Sequence, residues 1–378
     1  MFTACQILLG FSSLPNFSKI MRPLYCFLLL IVGFIIASCA KQSSNFSGLA
    51  ERIEKKRNLR VVCFANIITP IVGEMPANLG ERINTVGAGK LAVKLYNPDE
   101  LVGAMEILDV VSEGKVDAGF GAAGFWAGNI PSSPIFSSIP FGPNANEYLA
   151  WFYEGNGMKL YQEMYDSHGF NVKVLLAGMI PPETSGWFTK EINSLDDLEG
   201  LKMRFFGFGG EVMKQFGVAV RLLPPGEIYP ALEKGVIDAT EYAMPSIDEG
   251  LGFHKIAKYN YFPGWHQQAT TFELIINKDV WNSLSESQQA ILEQAGRANL
   301  VYGIAKGDGS QGPAMKRMAE RGVEQRTWPP QVVEAFKKTW EELAAQKAED
   351  DPFFKKVWED LQQFRAEYKE WGDRAYIY

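Results

Sequence analysis

Residues 106–118 read EILDVVSEGKVDA and residues 227–239 read EIYPALEKGVIDA, an internal similarity at an offset of 121 residues. Each copy has the pattern of a helix closed by a glycine, Gly114 or Gly235, that runs at once into a short apolar strand carrying one aspartate. Two such units predict two similar α/β lobes, with chance likeness of helix–glycine–strand units as the competing explanation. Lobes of this kind bind ligands in the crevice beyond the carboxyl ends of their strands. The candidate residues therefore follow each copy: Gly119 to Trp126 after the first, Thr240 to Pro245 after the second.

The rest of the chain extends this pattern. Short β-branched runs at 59–65, 90–96, 116–120, 171–178, 201–206, 219–223, 236–242 and 270–277 alternate with helical stretches, the signature of an α/β fold with covered sheets. Beyond residue 285 the reading is mostly helical. Ser285 and Gln288 form a capping box that opens a long helix. After Pro352, Phe353, Val357, Leu361, Phe364, Tyr368 and Trp371 recur at steps of four and three, one apolar face of a terminal helix. That face suits core packing, or docking on a partner such as a second copy of the chain.

Lysine plus arginine number 37 against 44 aspartates and glutamates, a net charge of −7. This argues against nucleic acid or anionic lipid as a partner, so an anionic ligand has to be held by local positive groups. The first 38 residues do not read as folded body. Lys19 and Arg22 precede an uncharged apolar run from Leu24 to Ala37, which ends in Ile36-Ala37-Ser38-Cys39. The run is too short for a membrane span of ~20 residues and fits a bacterial lipoprotein signal peptide, with Cys39 as the lipidated residue. An uncleaved anchor is the alternative. Met21-Arg22-Pro23 is a more natural start than Met1, which makes 1–20 a candidate mis-assigned extension. Either way the body is expected to be exported, with a lipid-anchored periplasmic address. Of the four cysteines only Cys63 then remains in the body, in an apolar strand, so no intrachain disulfide is expected.

Arg204 stands in Leu201-Lys202-Met203-Arg204-Phe205-Phe206, a strand otherwise apolar enough to be buried, followed by Gly207-Phe208-Gly209-Gly210 and a helix expected at 211–216. A buried guanidinium needs a partner, and its planar fork matches a carboxylate. From spacing alone that partner is either a ligand carboxylate or an internal acid. GFGAAG at 119–124 matches the dinucleotide fingerprint literally, but a proline-containing loop follows where the fingerprint requires a helix. Small residues there instead let a ligand approach the backbone, with Phe125 and Trp126 walling the pocket. The three histidines, at 168, 254 and 266, lack zinc-hydrolase spacing, and there is no nucleophile elbow or phosphate loop. His266, in Pro263-Gly264-Trp265-His266, is the one histidine beside an expected pocket; a packed role is the plainer reading there.

The run from Gly200 to Trp281, with the earlier GKLAVKLYNPDELV, VVSEGKVDA and SGWFTKEI segments, resembles the DctP-type solute-binding proteins of tripartite ATP-independent periplasmic (TRAP) transporters. It is most similar to those that bind 2-oxo and 2-hydroxy monocarboxylates. The resemblance implies a two-lobed Venus-flytrap protein that is not an enzyme, has no organic cofactor, and delivers a small organic acid to membrane permease subunits. It matches Arg204 to the arginine that clamps the ligand carboxylate. It also implies a cation, Na+ or Ca2+, bridging protein and acid. Glu241 and the Tyr242 carbonyl match its ligands, and Glu183 and Gln267 match two more with carboxylate and amide exchanged. Phe125, Trp126, Phe206, Trp265 and His266 complete the expected ligand-binding set. A tyrosine usual in the first-lobe loop is replaced near Gly124 and Phe125, which implies a roomier or more apolar ligand than pyruvate.

The expected organisation is a signal peptide over 1–38, a tether over 39–57, lobe I over 58–177 with 272–312, lobe II over 178–271 with 313–350, and a terminal helix over 351–378. The competing functions are binding of another carboxylate (an aromatic acid, a dicarboxylate or an amino acid) and a periplasmic sensor or enzyme on the same fold.

Overall fold

The computed structural model describes Lys56–Ala375. The expected signal peptide, the lipidation site Cys39 and nearly all of the tether lie outside the described residues. The described strands are β1 (Arg57–Cys63), β2 (Leu91–Tyr96), β3 (Ala118–Gly121), β4 (Val172–Ile180), β5 (Gly186–Phe188), β6 (Lys202–Arg204), β7 (Ala219–Arg221), β8 (Ala239–Thr240), β9 (Tyr259–Phe262), β10 (Thr270–Asn277) and β11 (Glu324–Thr327). They form two sheets, one of order β2-β1-β3-β10-β4 and one of order β11-β9-β5-β8-β6-β7. The expected two-lobed α/β fold is thus observed. β1 begins at Arg57, paired with Leu91, one residue inside the span expected to be tether.

The internal repeat places one copy in each sheet, and its hydrogen bonds repeat atom for atom. Gly114 (φ +74°) and Gly235 (φ +66°) close the two helices in the left-handed conformation. Gly114 N–H donates to Val111 O and Lys115 N–H to Val110 O; at the same offset Gly235 N–H donates to Leu232 O and Val236 N–H to Ala231 O. The aspartates repeat as well. Asp117 accepts from the Arg60 backbone N–H (2.7 Å) and Asp238 from that of Lys202 (3.1 Å), each tying its strand to the neighbouring one. These carboxylates are structural and stand apart from the ligand crevice.

Three connections cross between the sheets: 181–185, 263–269 and the helix Glu286–Glu320. The capping box at Ser285 and Gln288 is formed as expected. The helix lies so close on β4 that a Cβ at Gly296 would sit 2.6 Å from Leu176 O and one at Gly303 2.3 Å from Met179 O. Asn299 Nδ2 donates to Ala177 O (2.6 Å) on the same face. Further along, Gln311 accepts from Ser246 N–H (3.0 Å) and Arg317 pairs with Glu249 (2.5 Å), so one helix contacts both lobes.

The helix after β6 spans Gly207–Lys214 and takes in the Gly-Phe-Gly-Gly stretch expected to be a loop before a helix at 211–216. Its glycines serve packing: a Cβ at Gly209 would lie 2.5 Å from the Phe205 ring and 2.8 Å from His266 Cβ. The terminal helix Pro352–Ala375 buries Val357, Leu361 and Phe354 against the chain itself, with Trp151 Nε1 donating to Asp360 (2.8 Å) and Arg365 pairing with Glu147 (3.0 Å). Trp371, at the end of the expected stripe, is 65 % exposed. Cys63 is a buried free thiol, pushed up to about 12 by desolvation, which suits packing and not nucleophilic chemistry. Among the described residues no helix is long and apolar enough to cross a membrane.

Candidate functional site

The carboxyl ends of β1, β3, β4, β6 and β8 converge with the start of β10 on one cavity, lined by Phe64, Ala122, Phe125, Glu183, Arg204, Phe206, Tyr242, Gln267, Thr270 and Phe272 among others. This is where the strand-end rule places a ligand.

Arg204 closes β6 and is 1 % exposed. Of the two partners left open by the sequence, the structure supplies an internal acid. Nη1 donates to Glu241 Oε2 (3.0 Å), Oε1 (3.2 Å) and the Glu241 carbonyl (2.6 Å), and Nε donates to Leu223 O (3.3 Å). Glu241 Oε2 also accepts from Phe206 N–H (2.8 Å). The parallel pairing of Arg204 with Thr240 brings the two residues together. The guanidinium is therefore not an open two-pronged fork. Among the described residues nothing accepts from Nη2, and Arg204 lines the cavity beside the Tyr242 ring, whose centroid is 5.4 Å from the guanidinium carbon. Burial pushes the Glu241 carboxyl up, against the opposing pull of Arg204 and the Phe206 amide.

The other half of the site sits on the crossing segments. Glu183 N–H donates to Gln267 O (3.2 Å), which ties 181–185 to 263–269. Glu183 Oε1 accepts from Gln267 Nε2 (2.9 Å) and Thr270 Oγ1 (3.0 Å). Glu183 Oε2, Gln267 Oε1, the Tyr242 hydroxyl and both ring nitrogens of His266 are buried without a hydrogen-bond partner. His266 Nε2 lies 3.7 Å from Glu183 Oε2 and 3.9 Å from Glu241 Oε1. These are not ion pairs, because burial and Arg204 hold the imidazole neutral, down to about 3. Burial and the nearby Glu241 charge raise Glu183 well above the carboxylate range. Asp248, bonded to Trp187 Nε1 (2.8 Å), is pushed up to about 8, chiefly by desolvation.

Of the other expected site residues, Phe125 and Phe206 meet across the lobes with centroids 4.8 Å apart. A Cβ at Gly124 would lie 2.3 Å from Phe206 Cζ, so the missing first-lobe side chain makes room for this ring. Two residues are corrected. Trp126 turns inward within the 3-10 turn 123–126 and donates to Glu273 (2.7 Å), which also accepts from Tyr161 and Tyr165, a buried network inside lobe I. Trp265 packs on Phe141, Phe205 and Phe336 instead of lining the cavity. No α-helix opens at Gly124, in keeping with the rejected dinucleotide motif. Phe64, Phe272 and Thr270 were missed; each sits at a strand end, where the rule applied to β3 and β8 would have found them. The walls set Phe64, Phe125, Phe206 and Phe272 beside Glu183, Arg204, Gln267 and Thr270, and the cavity measures only about 30 Å³, against the ~150 Å³ that accepts benzene. In this closed arrangement the site is not roomy.

Two lobes joined by crossing segments, closing aromatic walls over buried polar groups, define a solute-binding protein. The chain matches the family model for bacterial extracellular solute-binding proteins of family 7 (DctP) over residues 64–351, and it belongs to that family. It is 35 % identical over 294 residues to a monocarboxylate 2-oxoacid-binding periplasmic protein of Nostoc sp. PCC 7120, covering 78 % of this chain and 80 % of that one. A TRAP transporter solute-binding protein from Bordetella bronchiseptica RB50 superposes with TM-score 0.82 at 30 % identity, over 85 % of this chain and 95 % of that one. Its crystal structure is a mixed-occupancy dimer with copurified calcium and picolinate in one site. A TRAP periplasmic solute-binding protein from Pseudoalteromonas atlantica T6c, with bound sodium and pyruvate, gives TM-score 0.81 at 32 % identity, over 85 % and 97 %. The protein is accordingly the solute-binding component of a TRAP transporter, extracytoplasmic as a family member, working with membrane permease subunits and not an enzyme.

Proposed function

We propose that this protein captures a 2-oxo or 2-hydroxy monocarboxylate between its lobes, together with a bridging Na+ or Ca2+, for secondary active uptake. The observation that carries the reading is the set of unpaired buried groups around one cavity. Arg204 offers Nη2 to the acid's carboxylate, and Glu183 Oε2 and Gln267 Oε1 are acceptors with nothing to accept from. Buried acceptors in this condition fit a hard cation with oxygen ligands. Glu183, Glu241, Gln267 and the Tyr242 carbonyl would hold the ion, which would chelate the acid, while Phe125 and Phe206 cover its apolar end. The sodium and pyruvate of the Pseudoalteromonas relative support this. The aromatic walls and the picolinate of the Bordetella relative favour a planar acid within the class.

Lobe I is then 58–177 with 272–312 and lobe II 178–271 with 313–350, and the terminal helix Pro352–Ala375 is available for pairing with a second copy. Cys39 would anchor the mature protein to a periplasmic membrane face. Thermal unfolding of desalted protein with pyruvate, 2-hydroxy acids, picolinate, amino acids and dicarboxylates tests the reading. At 100 times its dissociation constant the right acid adds about 2.7 kcal/mol of stability. The acid should be recovered unchanged. Stabilisation by amino acids or dicarboxylates alone, or appearance of product, refutes it.

A further inference from the structure

The chain leaves β1 and folds back on itself over 66–73 before the helix Glu74–Val86. Gly73 N–H donates to Thr69 O (3.0 Å), Val72 N–H to Pro70 O (2.7 Å) and Ile67 N–H to Asn97 Oδ1 (2.9 Å). Within this segment Ile71 is buried and holds φ at +57°, a left-handed conformation that a β-branched residue adopts only when its surroundings enforce it. The enforcing group is Glu74. Its Oε2 accepts from Ile71 N–H (2.9 Å) and also pairs with Lys306 Nζ on the long helix Glu286–Glu320. A first-turn glutamate is favoured by the helix dipole alone, but the dipole does not require the carboxylate to turn back onto the Ile71 amide.

The residues on either side of Ile71 reach the cleft. Val72 lines the cavity with Phe64 and Phe125. Pro70 lies against the other lobe: a Cβ at Gly250, in the helix Pro245–Leu251, would sit 2.8 Å from Pro70 Cγ and 3.1 Å from its Cδ. Next to Lys306, Gly307 brings the long helix down on the crossing segment that carries Glu183, where a Cβ would lie 2.4 Å from Pro181 Cδ. We propose that Glu74 is a positioning residue for solute capture. By holding Ile71 in its left-handed conformation it presents Val72 to the cavity and seats Pro70 on Gly250, which makes 66–73 a latch separate from the contact of Phe125 with Phe206. The proposal rests on the reading that a small acid is captured in this cavity. A contact completed only as the lobes close slows release more than it changes entry.

The test is stopped-flow tryptophan fluorescence of the full-length protein with pyruvate, in buffer containing NaCl and CaCl2, on wild type, Glu74→Ala, Glu74→Gln, Lys306→Met and Gly250→Ala. Melting of the ligand-free protein and its hydrogen exchange over 69–75, read by mass spectrometry, accompany it. Glu74→Ala should raise the pyruvate dissociation rate at least 10-fold, change the association rate less than 3-fold, and quicken exchange over 69–75 at least 10-fold. Glu74→Gln and Lys306→Met both leave Ile71 N–H an acceptor and should stay within 3-fold of wild type. Gly250→Ala should raise dissociation at least 10-fold from the opposite lobe without lowering the melting temperature, since alanine favours the helix; this variant decides if Glu74→Ala does not fold. Wild-type dissociation in Gly250→Ala or in folded Glu74→Ala, or an effect of Lys306→Met as large as that of Glu74→Ala, overturns the proposal. Pyruvate bound and released at the wild-type rate by every variant refutes the latch and leaves the acid reading standing. No pyruvate binding by wild type, with exchange over 69–75 quickened by Glu74→Ala alone, refutes the acid reading and supports the hold on Ile71.

Discussion

Replacing Arg204 by methionine removes one charge from a pair in which both side chains are almost inaccessible. Glu241 would keep one side-chain hydrogen bond, from Phe206 N–H, and lose the two to Nη1. Breaking a buried pair from one side costs about 3–5 kcal/mol, because the remaining charge is uncompensated. Protonation limits the loss. With Arg204 gone, the Glu241 carboxyl rises further above its unfolded value, so its protonated form stabilises the fold below about pH 4.5, a contribution lost as pH rises. The deficit should therefore be largest near neutrality and shrink in acid. Arg204→Met/Glu241→Gln removes both charges and should recover most of the loss, since neutral replacements of buried pairs are often tolerated. Urea unfolding followed by tryptophan fluorescence at pH 7 and pH 5 measures stability, and calorimetry with pyruvate measures binding. Both variants should lose the acid, because Nη2 is absent from each. A single variant less than 1 kcal/mol below wild type at pH 7, or a double variant that binds pyruvate normally, would refute the reasoning.

Gly124→Ala should drive a methyl group into Phe206 and oppose lobe closure, lowering acid affinity at least 10-fold with little change in ligand-free stability; calorimetry and melting curves separate the two. Trp126→Phe should behave oppositely, losing ~1–2 kcal/mol in urea unfolding through the unsatisfied Glu273 network while acid affinity holds. Asp248 retains its proton up to about pH 8 in the folded protein, whereas the unfolded chain releases it near 4. Its contribution is thus full below that value and lost as pH rises, at up to ~1.4 kcal/mol per pH unit. His266 has the opposite slope from about pH 3 to 6.5, being neutral when folded and protonated when unfolded. Between pH 6.5 and 8 Asp248 acts without that counterweight, so Asp248→Asn should flatten the decline in urea midpoint across this window; an unchanged slope counts against the shift.

The repeat was legible because helix, closing glycine, strand and aspartate are all local, and local geometry produced the same hydrogen bonds twice. Strands β5, β9 and β11 were not legible. Gly-Trp-Phe is too short to show alternation, and Glu-Gln-Arg-Thr is polar; each is a strand because a neighbour pairs with it. The same distinction runs through the site. Arg204 was readable as a buried cation from its own strand, but its partner Glu241 comes from parallel pairing with a strand 37 residues away. Trp126 looked like a wall by position, and only the turn of the 3-10 helix aims it at Glu273. His266 was readable from its place beside an expected pocket and Glu183 and Gln267 only through the family resemblance, but their meeting in one cluster was not legible, since it depends on two crossing segments tied by the Glu183 N–H to Gln267 O bond. That placement has a functional consequence. Arg204, Glu241 and Phe206 belong to the second sheet's strand ends, whereas Glu183, His266 and Gln267 sit where the chain passes between lobes. An acid and cation that satisfy both groups bind best when the first lobe's Phe125 has met Phe206, so ligand binding energy and closure are coupled through the same few residues.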